Sequence, residues 1–292
     1  MKHVLKNDYL TITVDSAGAE LTSVQNAQGT EYLWNADPAY WKRHAPVLFP
    51  FVGSLKNKEY HYHGVSYPMG QHGFARDMEF TLLSTTQSEI WYFLKADDST
   101  RSRYPFGFEL QIGYHLEETK LTVLWQVTNH GQEPMPFSIG AHPAFYCPPT
   151  PDKKRTDYEF RFDNTSPLTY HAIAEGGLAD THTEHPLPET ANHTLTISEH
   201  LFDGDALIVE GHQAHRIELA KKGEEPYITV LFDAPLFGLW APPGAETPFV
   251  CIEPWYGRCD ATDFNGTLEE REYGQTAAPG ETVTFSYSIT FA

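Results

Sequence analysis

Apolar and polar residues alternate in several stretches of this chain, beginning near the N-terminus, where Leu10, Ile12 and Val14 alternate with Thr11 and Thr13 before a turn over Asp15 to Gly18. A period of two marks a strand with one face in a core and the other toward water. Leu110, Ile112, Tyr114 and Leu116 repeat the pattern, a turn follows over Glu117 to Lys120, and Leu121, Val123, Trp125 and Val127 resume it, which predicts a long hairpin. The clearest strand comes last, with Val283, Phe285, Tyr287, Ile289 and Phe291 on one face. Shorter strand signals lie at 195–197, 206–209, 227–232 and 237–240. Helix is brief: Asp37-Pro38 reads as the capped start of a single turn over 39–43, stopped by Pro46. No amphipathic stretch exceeds about two helical turns.

Many short strands joined by Gly and Pro turns predict an all-β sandwich or barrel. The chain has no linker, repeat or low-complexity tract, so a single domain over 1–292 is expected. Its decorations are a surface loop from Cys147 to Asp157 and a longer excursion from Leu168 to Pro188.

Charge narrows the partners. Twenty Lys and Arg against 39 Asp and Glu give a net charge of -19, which disfavours nucleic acid and anionic membranes and suits a neutral small molecule. Aromatic residues make up 14%; they can stack on the C–H faces of a sugar or simply fill a β core. Three cysteines, irregularly spaced, supply neither a disulfide framework nor a CxxC-type zinc site. The N-terminus lacks the apolar core of a signal peptide, and no apolar run is long enough to span a bilayer. A soluble, cytoplasmic protein is expected. There is no GxSxG elbow, P-loop or dinucleotide fingerprint, which argues against acyl transfer through that elbow, P-loop phosphoryl transfer and nucleotide cofactors.

The candidate chemistry gathers where apolar runs meet rigid turns. In Cys251-Ile252-Glu253-Pro254-Trp255-Tyr256-Gly257, Pro254 is expected to end a buried strand and leave Glu253 in an aromatic-walled, partly desolvated place. A carboxylate there can act as a base near neutral pH, or it can merely pair with Arg258. His72 lies in Gly70-Gln71-His72-Gly73-Phe74-Ala75-Arg76-Asp77 and His142 in Gly140-Ala141-His142-Pro143. Each is either a positioned acid or ligand contact, or a buried imidazole satisfied by a carbonyl. The pairs His61/His63, His182/His185 and His212/His215 have spacings a metal can use, but none has a third ligand at motif spacing, so no metal site is expected.

Taken in order, Ala45-Pro46-Val47-Leu48-Phe49-Pro50-Phe51-Val52-Gly53, Gln71-His72-Gly73-Phe74-Ala75-Arg76, Ile139-Gly140-Ala141-His142-Pro143-Ala144-Phe145 and the Glu253 segment resemble the aldose 1-epimerase (galactose mutarotase) superfamily, especially its LacX-like branch. The resemblance runs from first strand to last. It implies one large antiparallel β-sandwich of the galactose mutarotase-like supersandwich type with a few short helices, a sugar bound in an open groove, and no cofactor. It further implies catalysis by Glu253 as base and His142 as acid, with His72, Arg76 and Asp205 binding the sugar and Trp240 or Trp255 stacking on it. Many relatives carry a basic residue after the Phe-Pro-x-Val-Gly segment, where this chain has Ser54 and then Lys56 two positions on, a departure that bears on sugar specificity.

The expected reaction exchanges the α and β anomers of a hexose by opening and closing its ring. The ordinary pKa values, about 4.3 for Glu and 6.5 for His, would give a bell-shaped pH profile with Glu253 on the acid limb and His142 on the alkaline limb. Two rival readings remain. One is a mutarotase for hexose 6-phosphates that recruits Arg76, Lys56, Arg258 and the Lys42-Arg43 pair; the other is a non-catalytic sugar-binding module of the same fold. Pairing into a homodimer is left open by the sequence.

Overall fold

The hairpin predicted from the longest alternating segments forms in full. Phe108–Glu117 pairs antiparallel with Lys120–Asn129, and the C-terminal strand Thr282–Phe291 pairs on the other side of Lys120–Asn129. In the computed structural model, which describes residues 1–150, 154–188, 192–244 and 246–292, strand accounts for 48% of the chain and helix for 7%. The protein is therefore all-β, as the period-2 segments predict. The one α-helix among the described residues, Asp98–Arg101, is a single turn closed by a capping box between Asp97 and Thr100. The turn predicted over 39–43 does not become a helix: the Asp37 carboxylate accepts the Ala39 N–H and the Asp37 carbonyl accepts two more, and the chain then leaves the turn.

Two large antiparallel sheets organise the molecule. The nine-stranded sheet carries the hairpin and Thr282–Phe291 at its middle. The smaller sheet runs Leu207–Glu210, Leu236–Trp240, Phe249–Tyr256, Ile139–Ala141 and Val47–Leu48, with Ala144–Tyr146 also pairing with Phe249–Tyr256. Inward residues such as Ile112, Val123, Trp125, Val230 and Ile289 from the first sheet share one apolar cluster with Phe237, Leu239, Val250 and Ile252 from the second. Burying each such side chain contributes about 1.5–3 kcal/mol. No helix among the described residues is long and apolar enough to cross a membrane.

The smaller sheet has a second face, and it is buried too. Phe249 and Cys251 pack with Trp34 and Ala144, while Trp255 packs with Leu48, Val52 and Leu236. Phe249–Tyr256 thus has a core on both sides, and Pro254 does not end it, contrary to the sequence-based expectation. The neighbouring ladder is interrupted instead: Ala144–Tyr146 pairs with 249–251 and Ile139–Gly140 with 255–256, leaving 252–254 beside the break occupied by His142-Pro143. A strand tolerates a residue without an N–H where its ladder is broken.

A buried ion pair ties the chain together at the edge of this face. Arg271 Nε donates to Asp260 Oδ1 at 2.7 Å and Arg271 Nη2 donates to the Arg258 carbonyl at 2.7 Å. Asp260 Oδ2 accepts the Lys56 N–H at 2.9 Å and the Asp260 N–H donates to the Ser54 carbonyl at 3.0 Å, so the pair also holds the segment after Gly53. Removing one partner strands the other without its counter-charge. Asp260→Asn is expected to lower the unfolding free energy by about 3 kcal/mol, measured by urea denaturation; a change under about 1 kcal/mol would show that the pair does not carry this load.

Candidate active site

Alternation along Phe249–Tyr256 decides which groups meet. Val250 and Ile252 enter the core, so Cys251, Glu253 and Trp255 face the other way. Glu253 lies opposite Gly238 on the adjacent strand. A Cβ on Gly238 would come within 2.4 Å of the Trp255 ring, so only glycine leaves room for that indole beside the carboxyl group. On the other side, the break after Ala141 brings His142 Nε2 to 3.4 Å from Glu253 Oε2. Trp41 stacks on the His142 ring at 4.7 Å, Trp240 meets it edge-on at 5.3 Å, and His72 meets it edge-on at 5.6 Å.

His72 is held by backbone. The Gly53 N–H donates to His72 Nδ1 at 3.0 Å, and the His72 N–H returns a bond to the Gly53 carbonyl at 2.9 Å. An accepting Nδ1 places the proton of the neutral imidazole on Nε2, which makes that atom a donor. The loop reaches this position because Gly73 adopts a φ of +70° and lies so close to Phe49 that a Cβ would sit 2.2 Å from its carbonyl oxygen. Arg76 follows in a short 3-10 turn and donates through Nη2 to the Gln71 carbonyl at 2.8 Å, while its Nε is buried without a hydrogen bond, 3.9 Å from Asp77 Oδ2. Asp205, at a φ of +75°, accepts the Ala206 N–H at 2.8 Å.

These groups line one pocket of about 240 Å³. All seven site residues singled out from the sequence, Glu253, His142, His72, Arg76, Asp205, Trp240 and Trp255, are on its wall. Sequence reasoning missed Trp41, which lies in the segment read as a helical turn. It also missed Ile173 and Gly177, which lie in the excursion read as decoration. That excursion folds as two small ladders, Thr169–Tyr170 with His185–Pro186 and Ile173–Ala174 with Leu178–Ala179, and forms part of the pocket wall. Gly177 abuts Ser54: a Cβ there would be 2.7 Å from the Ser54 hydroxyl, so a long side chain at position 54 would displace this wall.

Burial sets the charge states. Both carboxyl oxygens of Glu253 and the Nδ1 of His142 are buried without a hydrogen-bond partner. Burial, then the nearby Asp205 carboxylate, push Glu253 well above the usual carboxyl range, with Trp255 acting the other way. Burial, then Arg76, push His142 down to about 3, and burial also holds His72 well below the ordinary histidine value. The pair thus favours a neutral carboxyl group beside a neutral imidazole. Arg258 does not satisfy Glu253; it pairs with Glu210 at 2.6 Å and with Glu272. Cys251 Sγ joins the group, since suitable atoms of His142, Cys251 and Glu253 all lie within 4.8 Å of one another. The sequence showed no compact ligand set at this acid and base, and the fold creates one. His212, His215 and Asp233 form a second, more exposed set.

Comparisons with known proteins identify the family and the fold. The sequence profile of the family described as aldose 1-epimerase matches residues 1–287. The plasmid-borne protein LacX of Lactococcus lactis subsp. lactis is 33% identical over 294 residues, covering 98% of each chain. A galactose mutarotase related enzyme from Lactobacillus acidophilus superposes with a TM-score of 0.95 at 33% identity, covering 100% of this chain and 97% of its own. A galactose mutarotase-like protein from Lactobacillus casei gives 0.94 at 28% identity with both chains covered in full.

An unsatisfied buried carboxyl group has a consequence for stability. Its folded pKa is raised above the ordinary value of 4.5, so the folded state holds a proton that the unfolded state gives up. Stability is therefore lost as pH rises from about 4.5 toward the raised value, at up to about 1.4 kcal/mol per pH unit. Glu253→Gln, which cannot ionise, is expected to unfold at higher urea than the wild type at pH 8, and the advantage should shrink toward pH 5. Equal midpoints at pH 8 would mean that Glu253 is not desolvated as described.

Proposed function

Because the chain belongs to the aldose 1-epimerase family, we propose that it interconverts the α and β anomers of an unphosphorylated hexose by acid–base ring opening and closure. The opposition of Glu253 and His142 at 3.4 Å, with both Glu253 oxygens and His142 Nδ1 buried without a hydrogen bond, carries this reading. Two desolvated ionisable groups without partners destabilise a fold, and a module that only binds sugar has no use for them.

Anomer exchange removes the proton of the C1 hydroxyl while the ring oxygen gains one; the C1–O5 bond breaks, C1 rotates, and closure on the other face returns both protons. In this reading Glu253 takes the hydroxyl proton and His142 supplies the other. The reactive pair is then carboxylate and imidazolium, which has the same proton count as the neutral pair that burial favours. A polar sugar in the pocket supplies hydrogen bonds that burial alone denies to the charged forms. His72, donating from Nε2, and Arg76 hold sugar hydroxyls, Asp205 accepts from them, and Trp240 and Trp41 offer flat faces for the ring.

Charge balance favours a neutral sugar. Arg76 is the one Lys or Arg among the described lining residues, set against the carboxyl groups of Asp205 and Glu253. Of the other cations that a phosphate would recruit, Arg43 is engaged with Asp77 at 2.8 Å, Lys56 with Asn265 at 3.0 Å and Arg258 with Glu210 and Glu272, and Lys42 is not among the residues that line the pocket. Freshly dissolved pure anomers, followed by polarimetry or NMR, should therefore equilibrate at least about 10-fold more efficiently in kcat/KM for a free hexose than for its 6-phosphate, the equivalent of about 1.4 kcal/mol. A preference for the phosphate would reverse the assignment.

The same assay tests the residues. Glu253→Gln and His142→Asn should each lower kcat by about 100-fold or more in a folded protein, whereas Arg76→Ala should act mainly on KM. The pH profile follows the pair rather than either member. With Glu253 raised and His142 lowered to about 3, the acid limb is the uptake of a second proton and the alkaline limb is the loss of the last one. This exchanges the limb assignments drawn from ordinary pKa values. Free-enzyme activity should extend below and above the window set by the unperturbed values; a narrow bell confined between about 4.3 and 6.5 would reject it.

A further inference from the structure

The sulfur of Cys251 takes no part in the chemistry above, yet alternation along its strand places it on the same face as Glu253. The thiol is fully buried, as are the Glu253 carboxyl group and nearly all of His142. Suitable nitrogen, sulfur and oxygen atoms of the three lie within 4.8 Å of one another, and both Glu253 oxygens and His142 Nδ1 lack partners. We propose that the floor of the pocket also binds a thiophilic divalent cation of the zinc class through His142, Cys251 and Glu253, and that the bound ion shuts out the sugar.

The donor set suits such an ion. Imidazole, thiolate and carboxylate are zinc's usual protein ligands, and three of them, two of which also line the pocket, leave a fourth position unfilled, the incomplete tetrahedron of a zinc site that is not purely structural. Bond lengths of about 2.0–2.3 Å put bound donors about 3.3–3.6 Å apart, so these atoms need to draw together by only about 1 Å. Charge closes as well. As the ion binds, two protons leave to solvent, one from the Cys251 thiol and one from the Glu253–His142 pair, and one thiolate and one carboxylate then neutralise the divalent ion, the condition for holding it away from water. Calcium and magnesium, which want six or more oxygen ligands, are not served here.

Occupancy and catalysis exclude each other because the ion uses the electron pairs that the acid and base need. Binding of the ion does not rest on the proposed function; inhibition does, and the two are measured separately. Protein stripped with EDTA and desalted is titrated with Co²⁺, whose bond to a thiolate gives an intense near-ultraviolet charge-transfer band, and then with Zn²⁺. The expected result is a band that saturates at one Co²⁺ per chain and is abolished by one equivalent of Zn²⁺. Zn²⁺ should stop anomer exchange, and EDTA should restore it to the rate of the untreated protein.

Cys251→Ser should keep the anomerisation rate, lose the band, and bind Zn²⁺ by calorimetry at least about 10-fold more weakly, the lower end of what even a supporting contact contributes to a metal site. Cys251→Ala serves in its place if the serine variant does not fold. Absence of the band in the wild type, or its persistence in the Cys251 variant, would overturn the proposal. So would zinc binding that survives in Cys251→Ser and disappears in His212→Gln, since the ion would then sit on the exposed His212, His215 and Asp233 set. A band in a protein that exchanges no anomers would uphold the metal site and remove the functional reading.

Discussion

Phe249–Tyr256 is buried on both faces, and on one of them it carries a carboxyl group with no hydrogen-bond partner. Much of the site follows from that constraint. A strand with core on both sides cannot easily shift its register, because moving by one residue would send Glu253 into the apolar cluster shared with Val250 and Ile252. The carboxyl group is therefore fixed in depth and direction by packing. The break in the neighbouring ladder at His142-Pro143 does the rest, since it frees one imidazole to face that carboxyl group instead of continuing a strand. Rigid elements, rather than loops, carry the proposed chemistry, and the aromatic rings of Trp41 and Trp240 keep the imidazole from rotating away.

Much of this was legible in the sequence, for physical reasons. Strands exposed on one face, such as Lys120–Asn129 and Thr282–Phe291, must alternate, and that alternation is what a sequence displays most directly. Phe249–Tyr256 is different because both of its faces are apolar, so periodicity says nothing about which way Glu253 points, and Pro254 suggests an end that does not occur. The aldose 1-epimerase resemblance supplied the direction that periodicity lacked. Trp41, Ile173 and Gly177 gave no signal because their role depends on where a turn and an excursion come to rest against distant strands. The charge states were equally hidden: ordinary values for Glu and His put the proton on the imidazole, and only the depth of burial favours the carboxyl group.

Two buried groups that are each neutral resolve a conflict between chemistry and stability. A carboxylate and an imidazolium prepared in advance would each have to be desolvated in the empty protein, at several kcal/mol apiece. Holding the pair in its neutral form avoids most of that penalty until a polar ligand arrives.

The contact between Ser54 and Gly177 shows that floor and wall are built from different parts of the chain. The floor hangs from sheet strands whose packing resists change, whereas this stretch of wall is an excursion that meets Ser54 at Gly177 and is tied down through bridges at His171 and Ala179. Substituting position 54, or lengthening the excursion, would reshape the entrance without moving Glu253 or His142. Under the proposed function, a lineage built on this scaffold exchanges one sugar for another by changes at its rim, with Glu253 and His142 inherited intact.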